Sequence, residues 1–316
     1  MNSPLVSIVI ANYNYGRFLE DAIQSIASQD SGGCVELIVC DAGSSDNSVE
    51  VIRKYAAGLP PNVDRREWHG GAENVDSPNS PISWWCSEKD GGQSAAFNKG
   101  FSHAHGRFLT WLNADDIMLP GVVKKLAESV RQHPECEWFT GGCIHVDPML
   151  RIFKCVRSRQ MSSYRARHGM VNVSGPSSFF SRDLYERVGK IDERFQYAMD
   201  IDLWVRFALL AQQSFIPFVR YAWALRLHPE AKMSGHKFTA DGKILDGAAS
   251  RVAYVKNKSR LEQLDREREW TREKISIPKI GIGHMMRWLT TSACAVALSR
   301  FDSWRFHGLP LQNIPQ

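Results

Sequence analysis

The chain has 316 residues, 43% of them hydrophobic, enough to build a core for one large domain with an appendage or for two modest domains. That content and the absence of repeats or low-complexity tracts exclude a disordered or fibrous protein. The net charge of +5, from 39 basic against 34 acidic residues, suits an anionic small molecule, an acidic membrane or a nucleic acid, so charge alone selects no partner.

Leu5 to Ile10 ("LVSIVI") and Val35 to Cys40 ("VELIVC") are short β-branched runs ending in polar turns, the pattern of buried strands. Between them, "GRFLEDAIQSIASQ" sets Phe18, Leu19, Ala22, Ile23 and Ile26 on one helical face. A second helix is predicted from Asn47, with Glu50 three residues on as a capping-box partner and Val51, Ile52 and Tyr55 turned inward. Residues 57–81, rich in Pro, Gly and Asn, read as an insertion or mobile loop. Ile82 to Cys86 and Arg107 to Leu112 are further strands, with "GQSAAFNKGFSHAHG" as the helix between them. This alternation predicts an α/β fold with an open, mostly parallel sheet flanked by helices.

In such sheets ligands bind at the carboxyl ends of the strands. Polar clusters follow each predicted strand there: Ala11 to Asn14, Asp41 to Asp46, Glu88 to Gly92 and Asn113 to Asp116. The turn "ANYNYG" is not Gly-x-Gly-x-x-Gly, and no Gly-x4-Gly-Lys-Ser/Thr occurs, which excludes dinucleotide and P-loop cradles. The adjacent carboxylates of Asp115 and Asp116 repel unless a positive group joins them, and a divalent cation meets that need. The alternative is that one of them caps the helix that follows.

Five segments in order resemble the inverting family-two glycosyltransferases of GT-A fold: "VSIVIANYNYGRFLEDAIQSI", "VELIVCDAGSSDNSVEVI", "SEKDGGQSAAFNKGF", "WLNADD" and "FQYAMDIDLWVRFA". The resemblance covers about residues 4 to 235. It implies a nucleoside-diphosphate sugar donor, Mg2+ or Mn2+, and transfer to a carbohydrate or lipid-linked hydroxyl by a single displacement, with cell-surface polysaccharide or glycolipid as the expected product and no nucleic-acid partner. By position, Asp115 and Asp116 would hold metal and ribose, with Asn113 where relatives carry a first Asp. Asp41 would take the base, lined by Ala11 and Tyr13; turn chemistry with Gly43 and plain packing are the respective alternatives. Glu88, Asp90 and Asn98 fall in a donor-binding segment in which Ala95 replaces a usual Asp. Asp200 aligns with the catalytic base, Met199 replaces a frequent Glu, and Asp202 is the local rival. "SGPSSFF" matches an acceptor-side element, with Gly175 in place of Gln. In "LRLHPEAKMS", Arg226 and His228 match an element over the diphosphate, so His228 joins Asp115 and Asp116 as a candidate metal ligand and Arg226 as a phosphate donor, a structural histidine being the alternative. His145 and His236 carry no motif.

Two other classes compete with the transferase: a nucleotide-sugar-binding protein without turnover, and a metal-dependent nucleotidyl or phosphoryl transferase. The expected division is a GT-A domain at 1–235, with donor half 1–120 and acceptor half 121–235, and a C-terminal helical extension at 236–316. Within it, "KIGIGHMMRWLTTSACAVALSRFDSWRFHG" suits an interfacial helix at an anionic membrane and equally a domain-packing helix. Its apolar stretch Trp288 to Ser299 is shorter than the roughly 20 residues that span a bilayer. The seven cysteines form no Cys-x-x-Cys pair, so they are expected to be reduced and mostly buried, and no secretory signal is read at Met1 to Pro4. The expected location is the cytoplasm, with peripheral contact at the inner face of the membrane.

Overall fold

A computed structural model describes residues 3–29, 34–57, 59–64, 81–158, 173, 175–195, 199–209, 215–231, 297–303 and 305–314. In chain order the elements are β1 (Val6–Asn12), α1 (Gly16–Ala27), β2 (Val35–Asp41), α2 (Ser48–Ala56), β3 (Ile82–Ser87), α3 (Gln93–Ser102), β4 (Phe108–Asn113), β5 (Ile117–Met118), α4 (Val122–Gln132), β6 (Trp138–Val146), β7 (Ile152–Val156), β8 (Ser178–Ser181), α5 (Arg182–Arg187), α6 (Met199–Leu209) and β9 (Ile216–Arg226). They form a nine-stranded sheet of order β3-β2-β1-β4-β8-β6-β9-β5, with β7 paired to β6.

The half of the sheet from β3 to β4 is parallel throughout. β8 then enters antiparallel to both β4 and β6, and β9 returns parallel to β6. The first four strands match the predicted runs, and each goes one or two residues beyond its apolar stretch. That overrun puts polar side chains into the ladder: Asn12 lies beside Asp41, Asp41 beside Ser87, and Ala11 beside Asn113. The order reverses between β1 and β4, because the chain leaves β1 toward β2 on one side and reaches β4 only after β3. Such a switch point opens a crevice at the strands' carboxyl ends.

Period-two alternation loads both faces of the sheet. Ile8, Ile10, Leu37, Val39 and Leu112 join α1, α2 and α4 in one core. Val9, Ile38, Cys40, Leu109 and Trp111 join α3, α5 and α6 in the other. On α2, Val51 and Ile52 are buried as expected, while Tyr55 is half-buried and donates its hydroxyl to Glu20 (2.8 Å). The predicted capping box does not form. Asn47 occupies the cap position but its side chain accepts no cap hydrogen bond; Asp46 takes the Ser48 N–H instead (3.0 Å).

Cys40, Cys86, Cys136, Cys143 and Cys155 are buried and Cys34 is half-buried; Cys294 lies outside the described residues. Most of the 57–81 loop and all of 236–296 lie outside them too, including the charged helix predicted after residue 250. Residues 297–303 and 305–314 lie against the sheet. Ser303 and Ser299 bond the β7 backbone, and Phe306 is buried in the first core. The described end of the expected extension thus packs against the sheet through Phe306 and the β7 contacts. No described helix is long and apolar enough to cross a membrane.

Candidate active site

The first two loops at the crevice are tied to each other before they are tied to anything else. Asp41 is buried at the end of β2, and its carboxylate accepts from Asn12 Nδ2 (2.7 Å), the Ser44 backbone N–H (3.0 Å), Ser87 Oγ (2.6 Å) and the Ser44 hydroxyl. Asn14 adopts a left-handed backbone (φ +56°), which an asparagine tolerates, and its side-chain oxygen accepts the Ser45 N–H (2.8 Å). Asp46 accepts the Gly16 N–H at the start of α1 (2.9 Å). Ala11 is half-buried at the rim, and Tyr13 projects from it as an exposed ring.

The third loop closes the floor of the crevice. Asp90 accepts the Gly92 N–H (2.8 Å), and Gly92 caps α3 at φ +104°, a region that side chains avoid. Gln93 then reaches across and donates to Asn113 Oδ1 (2.8 Å). Glu88 pairs with Lys99 (2.9 Å), which raises the lysine's pKa. Asn98 faces elsewhere: it donates to the Ile191 carbonyl (2.9 Å) and to Glu193 (2.8 Å), and its carbonyl oxygen meets the Tyr185 hydroxyl. Its amide clamps α3 to the 191–193 turn.

The two aspartates after β4 are divided by their surroundings. Asp116 is fully buried, accepts from Asn113 Nδ2 (2.7 Å) and from the Arg226 N–H (3.0 Å), and burial, then the charge of Asp115, pushes its carboxyl well above the usual range. Asp115 instead lies 3.1 Å from His228 Nε2. The pairing of β5 with β9 makes this possible, since Ile117 opposite Ala224 brings the end of β9 onto the Asp-Asp turn from 113 residues away. The His228 ring is buried against Phe18 (4.6 Å) and edge-on to Tyr15 (5.5 Å). Burial first, then the charge of Asp115, lifts the Tyr15 phenol to about 12. Arg226 is buried over the Phe18 ring (4.8 Å) and pairs with Asp21 (2.7 Å).

Asp200 and Asp202 lie in the first turn of α6, and Asp202 is buried. Asp202 is held by Arg206 (2.7 and 2.9 Å), whose other nitrogen donates to the Val188 carbonyl (2.7 Å), so its position is explained by packing. Met199, beside Asp200, meets Ser94 Oγ (3.1 Å), next to Gln93, which in turn bonds Asn113. That relay places the start of α6 at the crevice end of α3. Behind it, Trp204 stacks on Trp111 at 5.5 Å with rings 4° apart. Gly175 packs against Trp111, where a Cβ would stand 2.9 Å from the ring, so any side chain there would force the ring to shift.

The structure thus gathers Ala11, Tyr13, Asp41, Asp90, Asn113, Asp115, Arg226 and His228 along one crevice and turns Asp116 and Asn98 away into packing roles. Asn12, Ser44, Ser87 and Gln93, which organise it, were not singled out from the sequence; their signal is that each is polar where a strand or its following loop meets the crevice. No group of three His, Cys, Asp or Glu able to hold a metal is found among the described residues. A carboxylate oxygen and an imidazole nitrogen 3.1 Å apart, with His228 Nδ1 buried and unbonded, nevertheless fit two positions of a Mn2+ or Mg2+ whose others come from phosphate and water.

An open α/β sheet with its crevice at the strand ends and helices on both faces is the GT-A arrangement. The mannosyltransferase of Pyrobaculum calidifontis, solved with GDP-Man and Mn2+, shares the fold over 95% of this chain and 76% of its own, with TM-score 0.55 and 16% identity. The chain belongs to glycosyl transferase family 2, whose model matches residues 7–76 and 85–189. An uncharacterized glycosyltransferase of Mycobacterium tuberculosis is 27% identical over 213 residues, 67% of this chain and 71% of its own. One from Nostoc is 32% identical over 123 residues, 39% of this chain, and the match spans only 32% of that relative's length.

Proposed function

We propose that the protein transfers a sugar from a nucleoside-diphosphate donor to an acceptor hydroxyl with inversion and with the help of Mg2+ or Mn2+. The observation that carries the reading is the buried Asp115–His228 pair at 3.1 Å, assembled at the switch point of the sheet. A divalent cation held there would neutralise charge gathering on the departing diphosphate. Tyr13 offers an exposed ring for a base to stack on, and Asp41 a carboxylate beside it; a base N–H would take the place of one of the four donors Asp41 now accepts. Ala11, Glu88, Asp90 and Asn113 line the remainder of the donor crevice, with Arg226 supplying positive charge behind the phosphates. Asn98 supports this segment through the 191–193 turn, and Asp116 holds the metal-side turn rather than the metal.

Asp200 removes the acceptor proton as the hydroxyl oxygen attacks the anomeric carbon, and the sugar–phosphate bond breaks on the opposite side. Products in cell-surface polysaccharide or glycolipid assembly, a carbohydrate or lipid-linked acceptor, and a cytoplasmic location at the inner face of the membrane belong to the same reading.

Thermal unfolding with UDP, dTDP, GDP, CDP or ADP, each with and without Mn2+, tests it. One diphosphate should raise the midpoint only with metal, and Asp115→Ala should abolish that rise. No rise with any diphosphate would overturn the donor site. A rise without Asp200-dependent transfer or donor hydrolysis would return the protein to the non-catalytic binding class.

A further inference from the structure

The segment that follows β9 carries His228, and its own sequence makes it a tight turn. In His228-Pro229-Glu230-Ala231 the Ala231 N–H donates to the His228 carbonyl (3.0 Å), with proline at the second position, where its fixed φ suits a turn. Leu227, just before it, is tied to the sheet by its N–H, which donates to the Val146 carbonyl (2.9 Å). Beyond that point, every described hydrogen bond or ion pair of residues 228–231 is internal to the turn or goes to Tyr15, Arg17 or Asp115.

The partner on the other side is fixed by α1. Tyr15 occupies the cap position, and its carbonyl accepts the Phe18 and Leu19 N–H groups (2.9 Å each) that open the helix. Asn14, before it, is held by the loop after β2: its N–H donates to Ser44 Oγ (2.9 Å) and its side-chain oxygen accepts the Ser45 N–H (2.8 Å). With its backbone held from both directions, Tyr15 packs its half-buried ring on the first core, stands edge-on to His228 (5.5 Å) and donates its hydroxyl to the Glu230 carbonyl (2.9 Å). Arg17 pairs with the Glu230 carboxylate, but both side chains are more than half exposed, and such a pair adds little. His228 is thus anchored on each flank, by the Leu227 bond to the sheet and by the Tyr15–Glu230 bond two residues on, with Phe18 against its ring (4.6 Å). A ligand held ready in this way loses little ordering entropy when a cation arrives.

We propose that Tyr15 is a positioning residue for the cation: its bond to the Glu230 carbonyl latches the 228–231 turn so that His228 Nε2 stays facing Asp115. The inference rests on the metal role proposed above for Asp115 and His228. It also joins the two ends of the donor crevice through three consecutive residues, since Tyr13 is the ring proposed for the base, Asn14 ties the loop to Ser44 and Ser45, and Tyr15 holds the metal side.

The test is Mn2+ binding to the full chain, read by water-proton relaxation with the metal alone and with UDP, dTDP, GDP, CDP or ADP present, beside the unfolding midpoint without metal. Asp115→Ala sets the level of binding elsewhere on the protein. Tyr15→Phe, which keeps the ring, should raise the Mn2+ dissociation constant about threefold or more, and Tyr15→Ala about tenfold or more. Arg17→Gln should stay within about twofold of wild type. Either Tyr15 variant binding Mn2+ as wild type does, even with a lowered midpoint, would overturn the proposal, since the tyrosine would then serve packing alone. So would Arg17→Gln weakening the metal as much as Tyr15→Ala, because charge rather than the latch would then hold the turn. If wild type binds Mn2+ no better than Asp115→Ala in every mixture, the metal reading itself falls and the latch with it; wild-type binding that the Tyr15 variants retain removes the latch alone.

Discussion

The two neighbouring aspartates of the crevice have the same chemistry and opposite surroundings, and substitution separates them. Asp116→Ala strands the Arg226 N–H and the Asn113 amide in a dry site, so unfolding should become easier by about 1–3 kcal/mol, read in a denaturant titration. Asp115→Ala relieves a repulsion on Asp116 and should leave stability close to wild type while the metal-dependent diphosphate response disappears. A parallel contrast holds on α6. Asp202→Asn leaves the buried Arg206 without its counter-charge and should cost about 3–5 kcal/mol of stability, whereas Asp200→Asn should lower kcat by roughly 10²–10⁴ with donor affinity and midpoint nearly unchanged. A role for Asp202 as the base would reverse that pair of results.

Among elements, the aromatic packing between β4 and α6 is the least tolerant of added volume. Gly175→Ala pushes a methyl against Trp111 and through it against the Trp204 stack, and should destabilise by about 1–3 kcal/mol in the same titration. At the other end of the sheet, Arg187 on α5 grips Glu137 with two hydrogen bonds (2.9 and 2.7 Å), and this partner, then the Ser181 hydroxyl, holds the glutamate below its usual pKa of 4.5. A depressed carboxyl stabilises the fold above its unfolded pKa and ceases to do so as pH falls through its folded one. Arg187→Gln should therefore lower stability modestly near neutral pH, by no more than about 1 kcal/mol for so exposed a pair, and match wild type once both carboxyls are protonated in acid.

At the scale of the molecule, the C-terminal strap of residues 297–303 and 305–314 packs into the main core through Phe306. Phe306→Ala removes a buried ring from the core shared by β6, β7 and β9 and should cost about 3–5 kcal/mol, measurable as a lower denaturation midpoint without loss of cooperativity. Two separate unfolding transitions would show that the strap folds on its own. The strap and the crevice use different edges of the sheet, so this loss should not alter which diphosphate binds.

Much of the fold is legible in the sequence because it is written locally: β-branched runs, a helical apolar stripe on 16–29 and polar residues at strand ends follow from backbone sterics and period. The same local pattern located Asp41, Asp90, Asn113 and Asp115 at one end of the sheet. Tertiary structure decided what no local pattern encodes. It brought His228 to Asp115 through the β5–β9 pairing, buried Asp116, turned Asn98 onto the 191–193 turn, paired Asp202 with Arg206, and laid residues 297–303 and 305–314 against the sheet. Each of these depends on partners distant in sequence or on which face of an element is dry, and burial and strand pairing are properties of the assembled sheet rather than of any segment.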